Sequence, residues 1–212
     1  MPFDTRPVRH AYEAIAHEYA KKFADEITTN EFDRSVIDDA VADLGPAAVV
    51  IDMGCGPGQV AAYLTTQGRW TVGLDLTPAM LAIARQRNPM LPLVYSDVLA
   101  LPLRRSAVDG IVAWYSLHNL PRAVLPAALC EFRWALRPGG VLLIATHGGR
   151  GQDAVEQEWM GDTETVAITY YEPGELVSLL VGHGFRVGAV RQRAPLNHEH
   201  QVTKTYITAV LI

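Results

Sequence analysis

The sequence predicts one doubly wound α/β domain: a mostly parallel seven-stranded sheet over residues 46–212, preceded by a helical lid over residues 1–45. Three observations predict it. Apolar runs such as residues 48–53 and 108–114 lack polar alternation, as strands buried on both faces do. Helical stretches separate these runs, which is the βαβ order of a parallel sheet. A glycine-rich turn closes the first run, at the strand end where an open sheet holds its ligand.

The elements follow in order. Tyr12, Ile15, Ala16, Tyr19 and Phe23 recur at helical spacing, and a second helix is expected over 32–44, stopped by Gly45-Pro46. Residues 48–53 form the first strand, 59–67 a helix and 70–74 the second strand. Thr77 as N-cap and Pro78 at the first helical position open a helix over 78–86. Short and long strands follow at 93–96 and 108–114. A helix after Pro121 runs to about residue 136, where Arg137-Pro138-Gly139-Gly140 ends it before a strand at 141–146. Beyond a polar stretch at 148–165 come a helix at 172–181 and two strands, 186–193 and 203–211. The loop between those two is too short for a crossover, so they pair antiparallel at one end of the sheet.

Composition narrows the partners. The 212 residues carry 18 Lys plus Arg against 23 Asp plus Glu, and the net charge of −5 gives no basic field for nucleic acid. A small-molecule acceptor is expected, with no nucleic acid and no membrane among the partners. The two cysteines, Cys55 and Cys130, build neither a disulfide framework nor a zinc spacing. No run of about 18 apolar residues is present, so a soluble, cytoplasmic protein is expected. Aromatic residues of the C-terminal half allow a homodimer.

The glycine turn carries the most chemistry. Gly54, Gly56 and Gly58 give G-x-G-x-G, whereas the dinucleotide fingerprint needs its third glycine at position 59, which is Gln59. Asp52 also leads directly into the loop, where it repels a pyrophosphate and welcomes an ammonium. S-adenosylmethionine fits, having a cationic end and no phosphate. Asp75 ends the second strand, placed to accept hydrogen bonds from ribose hydroxyls. Asp97 follows the third strand, placed to accept from an adenine amino group, with Leu76, Met80 and Val98 on the ring faces. The bland alternative is that these acids only cap helices. Their joint order along successive strand ends argues against it.

The runs VVIDMGCGPGQVAAYL, VGLDLTPAMLAIAR, YSDVLALPL, VDGIVAWYSLHNL and ALRPGGVLLIATH resemble successive motifs of the class I methyltransferases, over roughly residues 49–147. That resemblance implies a Rossmann-like sheet and S-adenosylmethionine contacts at Asp52, Gly54, Gly56, Asp75, Leu76, Asp97, Val98 and the Trp114-Tyr115 backbone. It also implies that Tyr19 closes over the methionyl end. The segments AYEAIAHEYAKKFADE, NEFDR and QRAPLNHEHQVTKTYITAV are similar to a set of small actinobacterial methyltransferases, including a type acting on methylated mannosides. Two departures stand out: Met53 replaces a more usual Leu, and Asn119 stands where a second His often follows His118.

Methyl transfer is an in-line displacement, so the protein's main task is orientation, and a base helps only where the acceptor is a hydroxyl. Histidine suits that task near neutral pH. His147, at the end of the fifth strand before Gly148-Gly149, is the expected base, and His118 after the fourth strand is the second candidate. Tyr12, Tyr19 and Glu26 belong to the lid, although helical spacing alone would bury the tyrosines and solvate the glutamate. Trp159, Tyr170 and Tyr171 offer flat faces to an acceptor or to the core. Convergence of His118, His147, Glu26, Glu199 and His200 would admit Mg2+, but no local ligand spacing indicates it. The expectation is therefore an O-methyltransferase of a small polar hydroxyl compound such as a methylated mannoside. Its rivals are C- or N-methylation of a quinone or small amine, and a non-catalytic cofactor-binding module.

Overall fold

Helix α1 (Arg6–Phe23) carries Pro in its first turn and Lys21 and Lys22 in its last, where each suits the helix geometry and dipole. The computed structural model describes residues 3–156 and 165–212. A short helix α2 (Glu26–Thr29) and then α3 (Glu31–Val41) follow, the latter capped by the Asn30 side chain accepting from the Asp33 amide at 3.1 Å. The cap starts α3 one residue before the periodicity suggested. Helix α1 lays Ala16 against Met80 and Ile83 of α5 (Pro78–Arg87), with Tyr12 and Tyr19 beside them.

The sheet contains β1 (Val49–Met53), β2 (Trp70–Asp75), β3 (Leu93–Tyr95), β4 (Val108–Trp114), β5 (Leu136–His147), β8 (Phe185–Arg193) and β9 (Lys204–Leu211). Their order is β3-β2-β1-β4-β5-β9-β8, with β9 antiparallel to both neighbours and the other six strands parallel. The fold is the expected doubly wound sheet. Strand β5 begins five residues earlier than expected because Leu136 pairs with Val108 across a register shift. A separate antiparallel pair, β6 (Gln152–Glu156) within the polar stretch and β7 (Thr165–Thr169) at its end, forms where no strand was expected.

Alternation along the strands divides the core between the two sheet faces. Ile51, Ile111, Leu142 and Ile144 pack with Leu129 and Phe132 of α6 (Leu125–Ala135) and with Leu176 and Leu180 of α7 (Pro173–Gly182). Val50, Val112, Leu143 and Ala145 pack on the other face with Val36 and Ile37 of α3 and with Val60 and Leu64 of α4 (Gln59–Thr66). Asp52 falls in phase with this second set. Its burial follows from the strand's own alternation, not from a local sequence signal.

A buried ion cluster ties α3 to the last two strands. Arg193 Nε and Nη2 donate to the Asp33 carboxylate at 3.0 and 2.9 Å, and the Tyr206 hydroxyl donates to Asp33 Oδ1 at 2.7 Å. Asp33 is fully buried. Removing one partner of such a pair strands the other charge, so Asp33→Ala is expected to cost about 3–5 kcal/mol. Urea unfolding of the variant checks this.

Candidate active site

Two adjoining cavities open at the carboxyl edge of the sheet, beside the point where the strand order reverses between β1 and β4. The first lies under α1. Gly54 has φ +73°, and a Cβ there would stand 2.3 Å from the Ser116 Cβ, so only glycine lets the β1 loop pass this close to the β4 loop. At Gly56, with φ +51°, a Cβ would meet only Tyr19 Cε1, at 3.9 Å. That glycine keeps space open toward the cavity.

Three strand-end carboxylates face this space. Asp52 accepts from the Ala61 amide through Oδ2 at 2.9 Å, while its buried Oδ1 has no partner. Burial, aided by the neighbouring Asp75 and only partly offset by the Ala61 amide, raises the Asp52 carboxyl to about 7. Asp75 accepts from the amides of Gly56 and Thr77, both at 2.8 Å, and burial raises its pKa as well. Asp97 accepts from the Thr5 hydroxyl at 2.7 Å and the Leu99 amide at 2.9 Å. The N-terminal segment thus docks on the third carboxylate.

Leu76, Val98, Trp114 and Tyr115 complete the walls, and every residue expected to contact the cofactor lines this one cavity. Trp114 Nε1, Ser116 Oγ and Asn119 Oδ1 are buried there without hydrogen-bond partners. Buried polar atoms left unpaired cost stability, and a polar ligand in the cavity would satisfy them. Tyr115 adopts φ +49°, a conformation uncommon for a bulky non-glycine residue.

The second cavity shares Tyr12, Tyr19 and Tyr115 with the first. Tyr12 receives a hydrogen bond from Asn119 at 3.2 Å and stands edge-on to Tyr19. Both tyrosines face the cavities while packing on Met80, so the core role and the lid role coincide. His118 and His147 line the far wall with ring centroids 4.8 Å apart. Burial pushes the His118 pKa down to about 3, and burial together with His118, Lys204 and His200 pushes His147 well below its ordinary value. Both imidazoles are neutral in the physiological range.

The loop between β8 and β9 closes the remaining side. Glu26 is half-buried, not solvated, and lies against Glu199; burial and that neighbour raise its carboxyl pKa. Arg193 binds the Glu199 carboxylate through Nη1 and Nη2 at 2.8 and 2.6 Å, and the Leu196 amide adds a third bond at 2.7 Å. Glu26, His198 and Glu199 bring ligand atoms within 4.8 Å of one another. These residues do not fit Mg2+, because a guanidinium already holds both oxygens of Glu199.

Tyr170 is buried behind the cavity wall, its hydroxyl 2.8 Å from His200 Nε2, and it does not line either cavity. Tyr171 is buried in the core. Trp159 lies outside the described residues. Sequence reasoning missed Lys204, which stands opposite His147 in the β5–β9 register with Nζ 3.3 Å from His147 Nδ1. Counting register between the last strand and the fifth would have found it. Asp33, Arg193 and Tyr206 were missed as well, because their roles exist only once three distant elements meet.

Residues 50–140 match the methyltransferase domain family. Malonyl-[acyl-carrier protein] O-methyltransferases of Xylella fastidiosa and Enterobacter lignolyticus are each 33% identical to this chain, over 69% and 74% of it and 50% and 60% of their own length. The chain spans about half the length of these relatives. Among solved structures, magnesium protoporphyrin IX methyltransferase of Synechocystis aligns with TM-score 0.76 at 14% identity, covering 99% of this chain and 100% of the other. The 1,6-didemethyltoxoflavin-N1-methyltransferase of Burkholderia thailandensis aligns with TM-score 0.69 at 21% identity, covering 100% and 92%. Residues 50–140 thus carry a methyltransferase domain, and the chain around them has the class I methyltransferase fold.

Proposed function

We propose that this protein transfers a methyl group from S-adenosylmethionine to a hydroxyl oxygen of a small polar acceptor, with His147 as the base. One observation carries the reading: a cavity with a carboxylate at each of three successive strand ends opens through shared tyrosines onto a second cavity walled by neutral histidines. When bound, S-adenosylmethionine supplies a methyl carbon made electrophilic by its sulfonium. Asp52, with Oδ1 unpaired, takes the cationic end, and the remaining lone pairs of Asp75 and Asp97 accept from ribose and adenine. Gly56 leaves the room a ligand needs, and Tyr19 closes over it.

In the second cavity, His147 is uncharged and able to accept the proton that a hydroxyl loses as its oxygen is methylated. Glu26, Asn197, Gln201 and Lys204 offer hydrogen-bonding groups there, beside the rings of Tyr12, Tyr19, Tyr115 and Phe23. Those polar groups support a sugar over an isoprenoid quinone, since a site's polar groups reject a partner that leaves them unpaired. A methylated mannoside is our choice of acceptor. The names of the O-methyltransferase relatives support oxygen as the acceptor atom.

In His147→Ala, kcat on a methylated mannoside is expected to fall about 100- to 10,000-fold while S-adenosylhomocysteine affinity stays unchanged. Turnover that survives the substitution overturns the base assignment. Wild-type protein that binds S-adenosylhomocysteine yet methylates no hydroxyl supports the non-catalytic rival.

A second outcome follows from Asp52. Its pKa is raised in the free protein, and a ligand ammonium favours the carboxylate, so binding below that pKa must displace a proton. Affinity for S-adenosylhomocysteine is therefore expected to rise as pH climbs through about 7 and to level off above it. Calorimetry of Asp52→Asn should show that rise abolished.

A further inference from the structure

We infer that Lys204 is the proton-accepting partner behind His147: as a neutral amine it accepts the Nδ1 proton of His147, and so frees Nε2 to act as the base. The inference rests on the reading of His147 given above. Its geometric ground is the antiparallel register of β5 and β9, which places the two residues opposite each other with Nζ 3.3 Å from Nδ1. Lys204 is buried, and its Nζ also donates to the His200 carbonyl at 3.0 Å.

The surroundings decide which way the shared proton lies. The Glu199 carboxylate stands 4.0 Å from Nζ and is shared with Arg193, which binds it more closely. The Tyr115 ring lies 5.6 Å away, His118, His200 and Glu26 line the same cavity, and the buried Asp33 and Arg193 act on Nζ electrostatically. Burial outweighs the nearby acids and lowers the amine to about 8. When Lys204 is an ammonium it donates to Nδ1, the imidazole proton sits on Nε2, and His147 presents a donor to the acceptor. A neutral Lys204 reverses this.

The relay also answers why an imidazole so reluctant to charge can serve as a base. As the acceptor oxygen bonds the methyl carbon, the C–S bond breaks and sulfur keeps its electron pair. The acceptor O–H bond breaks, Nε2–H forms, Nδ1–H breaks and Nζ–H forms. The positive charge that leaves sulfur ends on Lys204, beside Glu199 and the His200 carbonyl, and no imidazolium persists. Lys204 is thus a positioning residue that acts through His147.

The test reads the tautomer directly. With histidine labelled in nitrogen-15 and S-adenosylhomocysteine bound, long-range proton–nitrogen correlations report which His147 nitrogen carries the proton, the signals being identified by their loss in His147→Asn. The wild type is expected to show Nε2–H near pH 6.5 and Nδ1–H near pH 9, on either side of ordinary imidazole and amine behaviour shifted by burial. Lys204→Met should abolish the switch, Lys204→Arg should hold Nε2–H throughout, and Glu26→Gln, which removes the nearby carboxyl of raised pKa, should retain it. A tautomer that does not change in the wild type, or a switch that persists in Lys204→Met, overturns the inference. Methyl transfer to a methylated mannoside should rise with pH through the same midpoint and be lost in Lys204→Arg with S-adenosylhomocysteine affinity kept. A switch seen in a protein that methylates no hydroxyl would leave the Lys204–His147 relation standing and sink the proposed function instead.

Discussion

Arg193 sits between two buried carboxylates and spends all five of its N–H donors there: on Asp33, on Glu199 and on the Ala194 carbonyl. Burying three charges is tolerable only because each is paired and hydrogen-bonded, which makes the geometry of the cluster hard to alter. The consequence is positional. Asp33 belongs to α3, Arg193 ends β8, and Glu199 sits in the loop that leads into β9. One planar group therefore fixes the loop that walls the acceptor cavity against α3 and the end of β8. From Asp33 the chain of contacts runs through Tyr206 to the Tyr115 hydroxyl, 3.0 Å away, and so to the wall shared by both cavities.

The two cavities solve opposite electrostatic problems. Around the glycine loop, burial raises the pKa values of Asp52 and Asp75, with Asp75 adding to the shift at Asp52. A cationic ligand favours the ionised carboxylates and offsets that cost of burial. Around His147 the same burial keeps imidazoles uncharged, and the nearby Lys204 deepens the effect. A base so reluctant to charge holds an accepted proton weakly. The amine behind it is what lets the proton leave.

Much of this was legible in the sequence, and the reason is chain order. In a doubly wound sheet every strand's carboxyl end lies on one edge, so Asp52, Asp75, Asp97 and His147 could be placed together without knowing a single contact. The apolar runs of β1, β4 and β5 announced burial on both faces. What stayed hidden depended on pairing across distance. The β6–β7 pair joins a polar run, QDAVE, to a five-residue run, TVAIT, too short to announce a strand without its partner. Asp33 lies in a helix whose amphipathic pattern gives no warning of a buried acid, because its partner is on β8. Tyr170 was expected at the cavity wall, but its hydroxyl bond to His200 draws it behind.

The central claim is that the Arg193 cluster organises the acceptor side while the glycine loop holds the cofactor independently. Arg193→Lys tests it most directly, since lysine keeps the charge and loses the planar fork. S-adenosylhomocysteine affinity and methyl transfer would be measured on the same folded preparation. The account predicts that affinity is unchanged while transfer falls about 100-fold, the cost of a small misplacement at the reacting centre. Affinity and transfer falling together, or neither falling, would contradict it.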